Sequence, residues 1–191
     1  RREALCHQCR AVPSALDAAR AYSTYDGYMR SVIHSLKYQG DLLAARGLGE
    51  LMAWVVALDP CYEGVKRIVP VPLHPRRLQE RGYNQAAELA VVIGEALRLP
   101  VVEAVMRVRE TKPQASLGWR ERQRNTASAF AVVRPEAVRG VHVLIVDDVY
   151  TTGATASGVA HALKRAGCPR VSGVFAAAGS LAGDFAGPGD P

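Results

Sequence analysis

Long apolar runs and cysteines are both scarce in this chain of 191 residues. No apolar run approaches the roughly 20 residues that a membrane-spanning helix needs, so we expect no membrane insertion. The N-terminal residues are too polar for a signal peptide, and we therefore expect a cytoplasmic protein. The chain has four cysteines, and disulfides are rare in the cytoplasm, so a disulfide framework is not expected.

Lysine is scarce as well. The chain has 24 basic residues and a formal net charge of +6, and its lysines are Lys37, Lys66, Lys112 and Lys164. The basic surface is therefore mainly arginine, whose planar guanidinium suits bidentate contact with phosphate. Such a charge permits polyanionic partners without requiring them. The length suits one α/β domain with a small appendage.

Three familiar phosphate-binding motifs are missing. Gly153 and Gly158 have the spacing of a P-loop, but Val159 and Ala160 follow where Lys and Ser or Thr are required. The dinucleotide fingerprint Gly-x-Gly-x-x-Gly does not follow any predicted strand. An aspartyl-phosphate site is excluded because Val149 stands where its second Asp would be. A phosphate site in this chain would therefore need a different motif.

Residues 141–155 are the most informative stretch. They open with an apolar, β-branched run, which is typical of a strand buried on both faces in a parallel sheet. The run ends at two adjacent carboxylates and five small residues: Asp147, Asp148, Thr151, Thr152, Gly153, Ala154 and Thr155. A predicted helix at 156–166 follows. Unsatisfied N–H groups and the helix dipole both favour an anion at such a turn.

Residues 143–155 resemble the signature of the type I phosphoribosyltransferases, which is four apolar residues, two acidic residues and Val-x-Thr-Thr-Gly-Ala-Thr. The resemblance implies an α/β fold with a mostly parallel central sheet flanked by helices. It implies that Asp147 and Asp148 are catalytic and bind the ribose hydroxyls of phosphoribosyl pyrophosphate (PRPP), which binds with Mg²⁺. It implies that residues 151–155 hold the 5-phosphate.

A basic loop follows the strand predicted at residues 66–72. The prolines of this strand restrict it to a short strand or to the edge of the sheet. The candidate anion ligands there are His74, Arg76, Arg77 and Arg81. Ligands of open α/β sheets bind at the carboxyl ends of strands. The resemblance implies that this loop binds the pyrophosphate of PRPP.

Apolar spacing predicts helices around residues 29–36, 48–55 and 84–97. Asp26 is a possible N-cap of the first helix and Gly40 a possible stop. Lys37, Tyr38, Gly40 and Asp41, between the first two helices, are interpreted as a turn rather than a site. His74, His142 and His161 are candidate general bases only by residue type.

Residues 109–125 are polar and basic, and they are interpreted either as a surface loop or as a lid that excludes water from a reacting centre. The flexible-loop candidates are Arg109, Thr111, Lys112, Gln114 and Arg122. Trp119 lies among the arginines, and such an arrangement suits single-stranded DNA.

Several motifs together resemble the ComF family, whose members are phosphoribosyltransferase-like proteins of natural competence. They are a Cys-x-x-Cys pair, a Val-Pro-Val-Pro strand, Arg-Gly-Tyr-Asn-Gln at 81–85, and Thr-x-x-Gln-x-x-Leu-x4-Arg-x-x-Asn from Thr111 to Asn125. Cys6 and Cys9 are half of a zinc site, which needs two more ligands. We divide the chain into a partial zinc-knuckle segment (1–21), a phosphoribosyltransferase domain (22–179) and a flexible tail (180–191).

Two functions follow from these patterns. One is a PRPP-binding protein that transfers ribosyl 5-phosphate to a nitrogen nucleophile and releases pyrophosphate. The other is a non-catalytic protein that retains the PRPP site and binds single-stranded DNA with other competence proteins. A purine-salvage enzyme is a weaker third possibility, because the resemblance carries no defined base specificity.

Overall fold

The computed structural model describes residues 14–108 and 129–179. The strands are β1 (Ala18–Thr24), β2 (Val65–Pro70), β3 (Val105–Arg107), β4 (Phe130–Val132), β5 (His142–Tyr150) and β6 (Arg170–Ala178). The helices are α1 (Gly27–Tyr38), α2 (Leu42–Leu58), α3 (Pro75–Arg81), α4 (Gln85–Leu97) and α5 (Ala154–Arg165). Two single 3₁₀ turns, Pro60–Tyr62 and Pro135–Ala137, lie in the connections.

The central sheet has the strand order β1-β6-β5-β2, and every neighbouring pair is parallel. Strand β2 is at the edge, as its prolines predicted, and β3 and β4 form a separate antiparallel ribbon. The predicted α/β class, with a mostly parallel sheet flanked by helices, is therefore confirmed. Strand β1 begins at Ala18, so the sheet extends N-terminal to the segment boundary that we drew between residues 21 and 22.

Strand β5 is covered on both faces of the sheet. Four consecutive apolar side chains, Val143, Leu144, Ile145 and Val146, are all fully buried. Successive side chains of a strand point to opposite faces, so two of them enter each of the two cores. Each such burial contributes about 2 kcal/mol of transfer free energy. The prediction of a strand buried on both faces is confirmed.

Two hydrophobic cores cover the two faces of the sheet. One core joins Val143 and Ile145 of β5 to α5 and to the β3–β4 ribbon. The other joins Leu144 and Val146 to α1, α2 and α4. Helix α4 follows β2 on one face, and α5 follows β5 on the opposite face. The chain therefore leaves these neighbouring strands in opposite directions, which creates the crevice where open α/β sheets bind ligands.

The predicted helices are present, with shifted ends. Helix α1 begins after Asp26, but the Asp26 carboxylate makes no capping bond and accepts a hydrogen bond from Thr24 Oγ1 at 2.7 Å. Helix α2 begins earlier than its apolar spacing indicated, because Asp41 caps it by accepting from the Ala44 N–H at 3.0 Å. Among residues 14–108 and 129–179, no helix is both long and apolar enough to cross a membrane.

Candidate functional site

The carboxyl ends of β5 and β2 lie side by side at one end of the sheet. The two strands remain hydrogen-bonded up to these ends, where the Val71 N–H donates to the Val146 carbonyl at 2.9 Å. Asp147 and Asp148 lie in the last four residues of β5, and the loop to His74 follows β2. The structure thus places the two predicted groups of ligands, far apart in the chain, on neighbouring strand ends.

We refer to Asp147 and Asp148 as the carboxylate pair. The two side chains point to opposite faces of β5, and Asp148 is only 7% exposed. Asp148 Oδ2 lies 2.8 Å from Lys37 Nζ, whereas Asp147 Oδ1 accepts from the Asp148 backbone N–H at 2.9 Å. Because little solvent reaches Asp148, the Lys37 ammonium is the cation that compensates its carboxylate.

Burial raises the pKa of the Asp147 carboxyl well above its ordinary value of 3.8, and the neighbouring Asp148 carboxylate raises it further. The Lys37 ammonium and the Arg107 guanidinium act in the opposite direction but do not cancel these effects. The carboxylate pair therefore combines Asp148, which is paired with Lys37, and Asp147, which resists ionisation. Hydroxyl groups of a ligand suit such a pair, because one carboxyl can accept and the other can also donate.

Residues 150–155, which we call the threonine loop, join the end of β5 to the start of α5. The tight turn itself lies at residues 151–153. Gly153 has a φ of +71°, a left-handed conformation, and any Cβ there would collide with the Tyr150 hydroxyl. Thr152 Oγ1 accepts from the Ala154 N–H at 3.4 Å, while Thr151 and Thr152 are exposed. A cavity of about 30 Å³ beside the loop is lined by residues that include Asp147, Thr151, Gly153 and Thr155.

A larger cavity of about 480 Å³ lies between the end of α1 and helix α3. Its lining includes Lys37, Arg77, Arg81, Glu80, Tyr38 and Tyr83, and we call it the cation-lined cavity. Three cations face one carboxylate there, so it favours an anionic ligand. The Arg81 guanidinium lies 5.2 Å from the centre of the Tyr38 ring, a cation–π contact that holds it at the cavity.

The four predicted pyrophosphate ligands occupy different positions. Arg77 and Arg81, four residues apart on α3, line the cation-lined cavity. Arg76 instead forms an exposed ion pair with Glu80, with 2.9 Å between Arg76 Nε and Glu80 Oε1. His74 is the N-cap of α3, and its Nδ1 accepts from the Arg76 N–H at 3.3 Å. The structure therefore brings two of the four residues to the cavity.

Curated relatives place the chain in a family. The DNA utilization protein YhgH of Escherichia coli K12 is 35% identical over 170 residues, which are 87% of this chain and 74% of that protein. The chain belongs to the ComF family. Competence protein F of Haemophilus influenzae is 28% identical over 87% of this chain and 75% of its own length. Competence protein ComFC of Bacillus subtilis is 27% identical over 78% of this chain and 58% of its own.

Solved structures similar to this ComF-family chain include the glutamine PRPP amidotransferase of B. subtilis complexed with ADP and GMP. It has 18% identity and a TM-score of 0.47, over 69% of this chain and 26% of that chain. The allosteric regulatory enzyme of purine biosynthesis has 19% identity and a TM-score of 0.48, over 69% and 25%. The chain thus spans about a quarter of each of these proteins. No protein-family model matches the sequence.

Lys37 is a site residue that the sequence pattern does not identify, because Lys37, Tyr38, Gly40 and Asp41 together are typical of a turn. Lys37 and Tyr38 instead form the last residues of α1, while Gly40 and Asp41 do lie in the connection to α2. One signal was present in the sequence. Lys37 directly follows Leu36 on the predicted apolar face, so its stem starts beside the core and its ammonium reaches over the sheet edge.

The three histidines considered as general bases lie away from the carboxylate pair or have other hydrogen-bonding roles. His142 is at the opposite end of β5, and its Nε2 is 2.9 Å from Ser172 Oγ. Burial lowers the pKa of His142, so the ring is neutral at pH 7. His74 caps α3, and His161 lies on the exposed side of α5.

Several predicted residues lie outside the described residues. They are the zinc candidates Cys6 and Cys9 and the loop candidates Arg109, Thr111, Lys112, Gln114 and Arg122. Within residues 14–108 and 129–179, no group of three or more His, Cys, Asp and Glu side chains is arranged to hold a metal ion. Zinc binding at Cys6 and Cys9 stays a prediction.

Proposed function

We propose that the protein binds PRPP with Mg²⁺ where β5 and β2 end, and transfers its ribosyl 5-phosphate to a nitrogen nucleophile. One observation carries this proposal. The carboxylate pair lies between the threonine loop and the cation-lined cavity, linked to the cavity by Lys37. PRPP has the same sequence of groups, because its ribose diol lies between a monophosphate and a diphosphate.

The ribose diol and the 5-phosphate would be bound by different groups of the protein. Asp147 and Asp148 would bind the ribose 2- and 3-hydroxyls, Asp148 as an acceptor and Asp147 through a carboxyl group that can both accept and donate. The 5-phosphate would bind over the exposed mouth of the threonine loop, where the N-terminus of α5 supplies N–H groups and the positive end of its dipole. The 30 Å³ cavity beside the loop is large enough for a water molecule but too small for a phosphate.

Arg77 and Arg81 would bind the diphosphate in the cation-lined cavity. Its polar, cationic lining and its volume fit a diphosphate that carries Mg²⁺, and this ion keeps several waters and needs few protein ligands. Bound in this way, Mg²⁺ would neutralise charge on the departing diphosphate. A dedicated protein cage for the ion is not required by this arrangement.

The transfer replaces one bond at the anomeric carbon. The bond from C1 to the diphosphate oxygen breaks and its electron pair leaves with pyrophosphate, while the nitrogen lone pair forms the new bond to C1. Arg77 and Arg81 stabilise the developing negative charge, and the carboxylate pair stabilises positive charge on the ribose. Since the candidate bases His74, His142 and His161 lie elsewhere or are engaged, the nucleophile would lose its proton to solvent or to the leaving pyrophosphate.

Calorimetric titration of PRPP with Mg²⁺ tests the site. Wild type is expected to bind in the micromolar range, and Asp147→Ala/Asp148→Ala is expected to weaken binding by about 100-fold or more, because both acceptors for the diol are removed. Glu103→Ala/Glu136→Ala, which removes two exposed carboxylates elsewhere, is the matched control and should bind as wild type. Folded wild type that fails to bind PRPP would refute the proposal.

The names of the relatives, a DNA utilization protein and two competence proteins, favour a DNA-related second function, which we propose to be the binding of single-stranded DNA. Replacing Arg120, Arg122 and Arg124 by Ala should weaken binding of a labelled oligodeoxythymidine about tenfold and flatten its salt dependence, because phosphate contacts release counterions. Fluorescence anisotropy over a salt series measures both effects. PRPP affinity, measured in parallel, should not change. DNA affinity that ignores salt, or that survives the triple substitution, would exclude this role for these arginines.

A further inference from the structure

Lys37 belongs to both halves of the candidate site. Its ammonium lies 2.8 Å from Asp148 Oδ2, and its side chain also lines the cation-lined cavity beside Arg77 and Arg81. The Lys37 and Asp148 side chains are 22% and 10% exposed, so water screens their ion pair only weakly. A single cation thus touches the carboxylate that would bind the diol and the cavity that would bind the diphosphate.

The backbone around Lys37 is held firmly. The Tyr83 hydroxyl donates to the Leu36 carbonyl, and Leu36 itself is fully buried. The Ser35 hydroxyl donates to Asp41 Oδ2 at 2.7 Å, which joins the end of α1 to the start of α2. These contacts fix where the Lys37 stem begins, while its four-carbon stem leaves the ammonium free to rotate.

The ion pair places Lys37 in competition with the ligand. In the ligand-free protein the Lys37 ammonium occupies the Asp148 carboxylate that the ribose hydroxyls would need. An anion in the cation-lined cavity attracts the same ammonium and adds to the pull of Arg77 and Arg81. Occupation of the cavity by a diphosphate would therefore release Asp148 for the diol.

We propose that Lys37 is a positioning residue that couples the two halves of the site, moving from Asp148 to the diphosphate when the ligand binds. The inference rests on the proposed function, because it assumes that diol and diphosphate bind at these two places. This coupling makes the protein selective for ligands that carry both a diol and a diphosphate. A ligand with a diol alone must displace Lys37 without any anion to receive it.

Calorimetry with the two halves of the ligand tests the coupling. The probes are ribose 5-phosphate and inorganic pyrophosphate with Mg²⁺. In wild type, saturating pyrophosphate should tighten ribose 5-phosphate binding about fivefold or more, and by linkage the reverse titration must give the same factor. In Lys37→Met the factor should fall to one or below, because only repulsion between the two anions is left.

A second readout separates coupling from a structural role. Ribose 5-phosphate alone should bind Lys37→Met more tightly than wild type, since no ammonium has to be displaced from Asp148. A merely structural ion pair predicts weaker or equal binding. Lys37→Arg, which keeps the cation, should retain coupling, and Lys37→Gln replaces the Met variant if that variant does not fold. Arg46→Met is the matched control, because it removes the cation of an exposed ion pair with Glu50 on α2.

The outcomes separate the two proposals. Equal coupling in wild type and Lys37→Met, or none in wild type although both probes bind, would overturn the role of Lys37 and leave the PRPP site intact. Wild type that binds neither the probes nor PRPP would overturn both.

Discussion

Asp147→Asn is expected to make the ligand-free protein more stable at pH 8, by about 2 kcal/mol in free energy of unfolding. Burial and the Asp148 carboxylate raise the pKa of Asp147 above 3.8, so the folded protein resists an ionisation that the unfolded chain undergoes freely. Above pH 3.8 the Asp147 carboxyl thus holds more protons in the folded state, and its contribution to the free energy of unfolding becomes less favourable as pH rises. Asparagine removes this loss and keeps an oxygen to accept the Asp148 N–H.

Urea unfolding of both proteins between pH 3 and pH 8 measures the effect. The stability difference should be smallest near pH 3, where Asp147 is protonated in both states, and should grow as pH rises. Glu136→Gln, which changes an exposed carboxylate, is the control, and its difference from wild type should stay nearly constant. A variant less stable than wild type at pH 8 would contradict the argument.

The sequence predicted the features that depend on local pattern. The apolar run at residues 143–146 is buried on both faces as expected, because a central parallel strand is covered by helices on both sides. The carboxylate pair and the threonine loop follow directly, so their place at a sheet edge could be predicted as well. The positive φ of Gly153 agrees with the need for a tight turn before α5.

Contacts between distant segments were not predictable in the same way. Lys37 reaches Asp148 only because α1 packs on the face of the sheet to which Asp148 points, and local spacing does not specify that packing. Arg107, which acts on Asp147 from the β3–β4 ribbon on the opposite face, was missed for the same reason. In both cases the sequence showed an ordinary basic residue at the end of an element.

The positions of the arginines on helix α3 were only partly predictable from the sequence. Arg77 and Arg81 are four residues apart, as are Arg76 and Glu80, so helical geometry alone puts them in two separate pairs. Which of the arginines face the cavity depends on how α3 packs against the end of α1, and Glu80 lines the cavity as well. The sequence could therefore divide the arginines of this loop into two sets, but only the structure assigns Arg77 and Arg81 to the cavity.

Arg77→Met/Arg81→Met is accordingly expected to weaken PRPP binding by about 100-fold or more, because each lost charge-assisted contact with a diphosphate costs about 1.5–3 kcal/mol. Methionine keeps much of the apolar stem, so packing against Tyr38 should change little. Ribose 5-phosphate, which lacks the diphosphate, should lose less than about threefold in affinity. Calorimetry with both ligands in Mg²⁺ gives the two ratios.

Arg76→Met provides the comparison within the same helix. Arg76 is exposed and paired with Glu80, and it does not line the cation-lined cavity, so its loss should weaken PRPP binding by less than about threefold, as exposed ion pairs contribute little. Equal losses for Arg76→Met and for the double variant would mean that only the general positive charge of α3 attracts the ligand. Unequal losses, seen with PRPP but not with ribose 5-phosphate, would mean that the diphosphate contacts the face of α3 that carries Arg77 and Arg81.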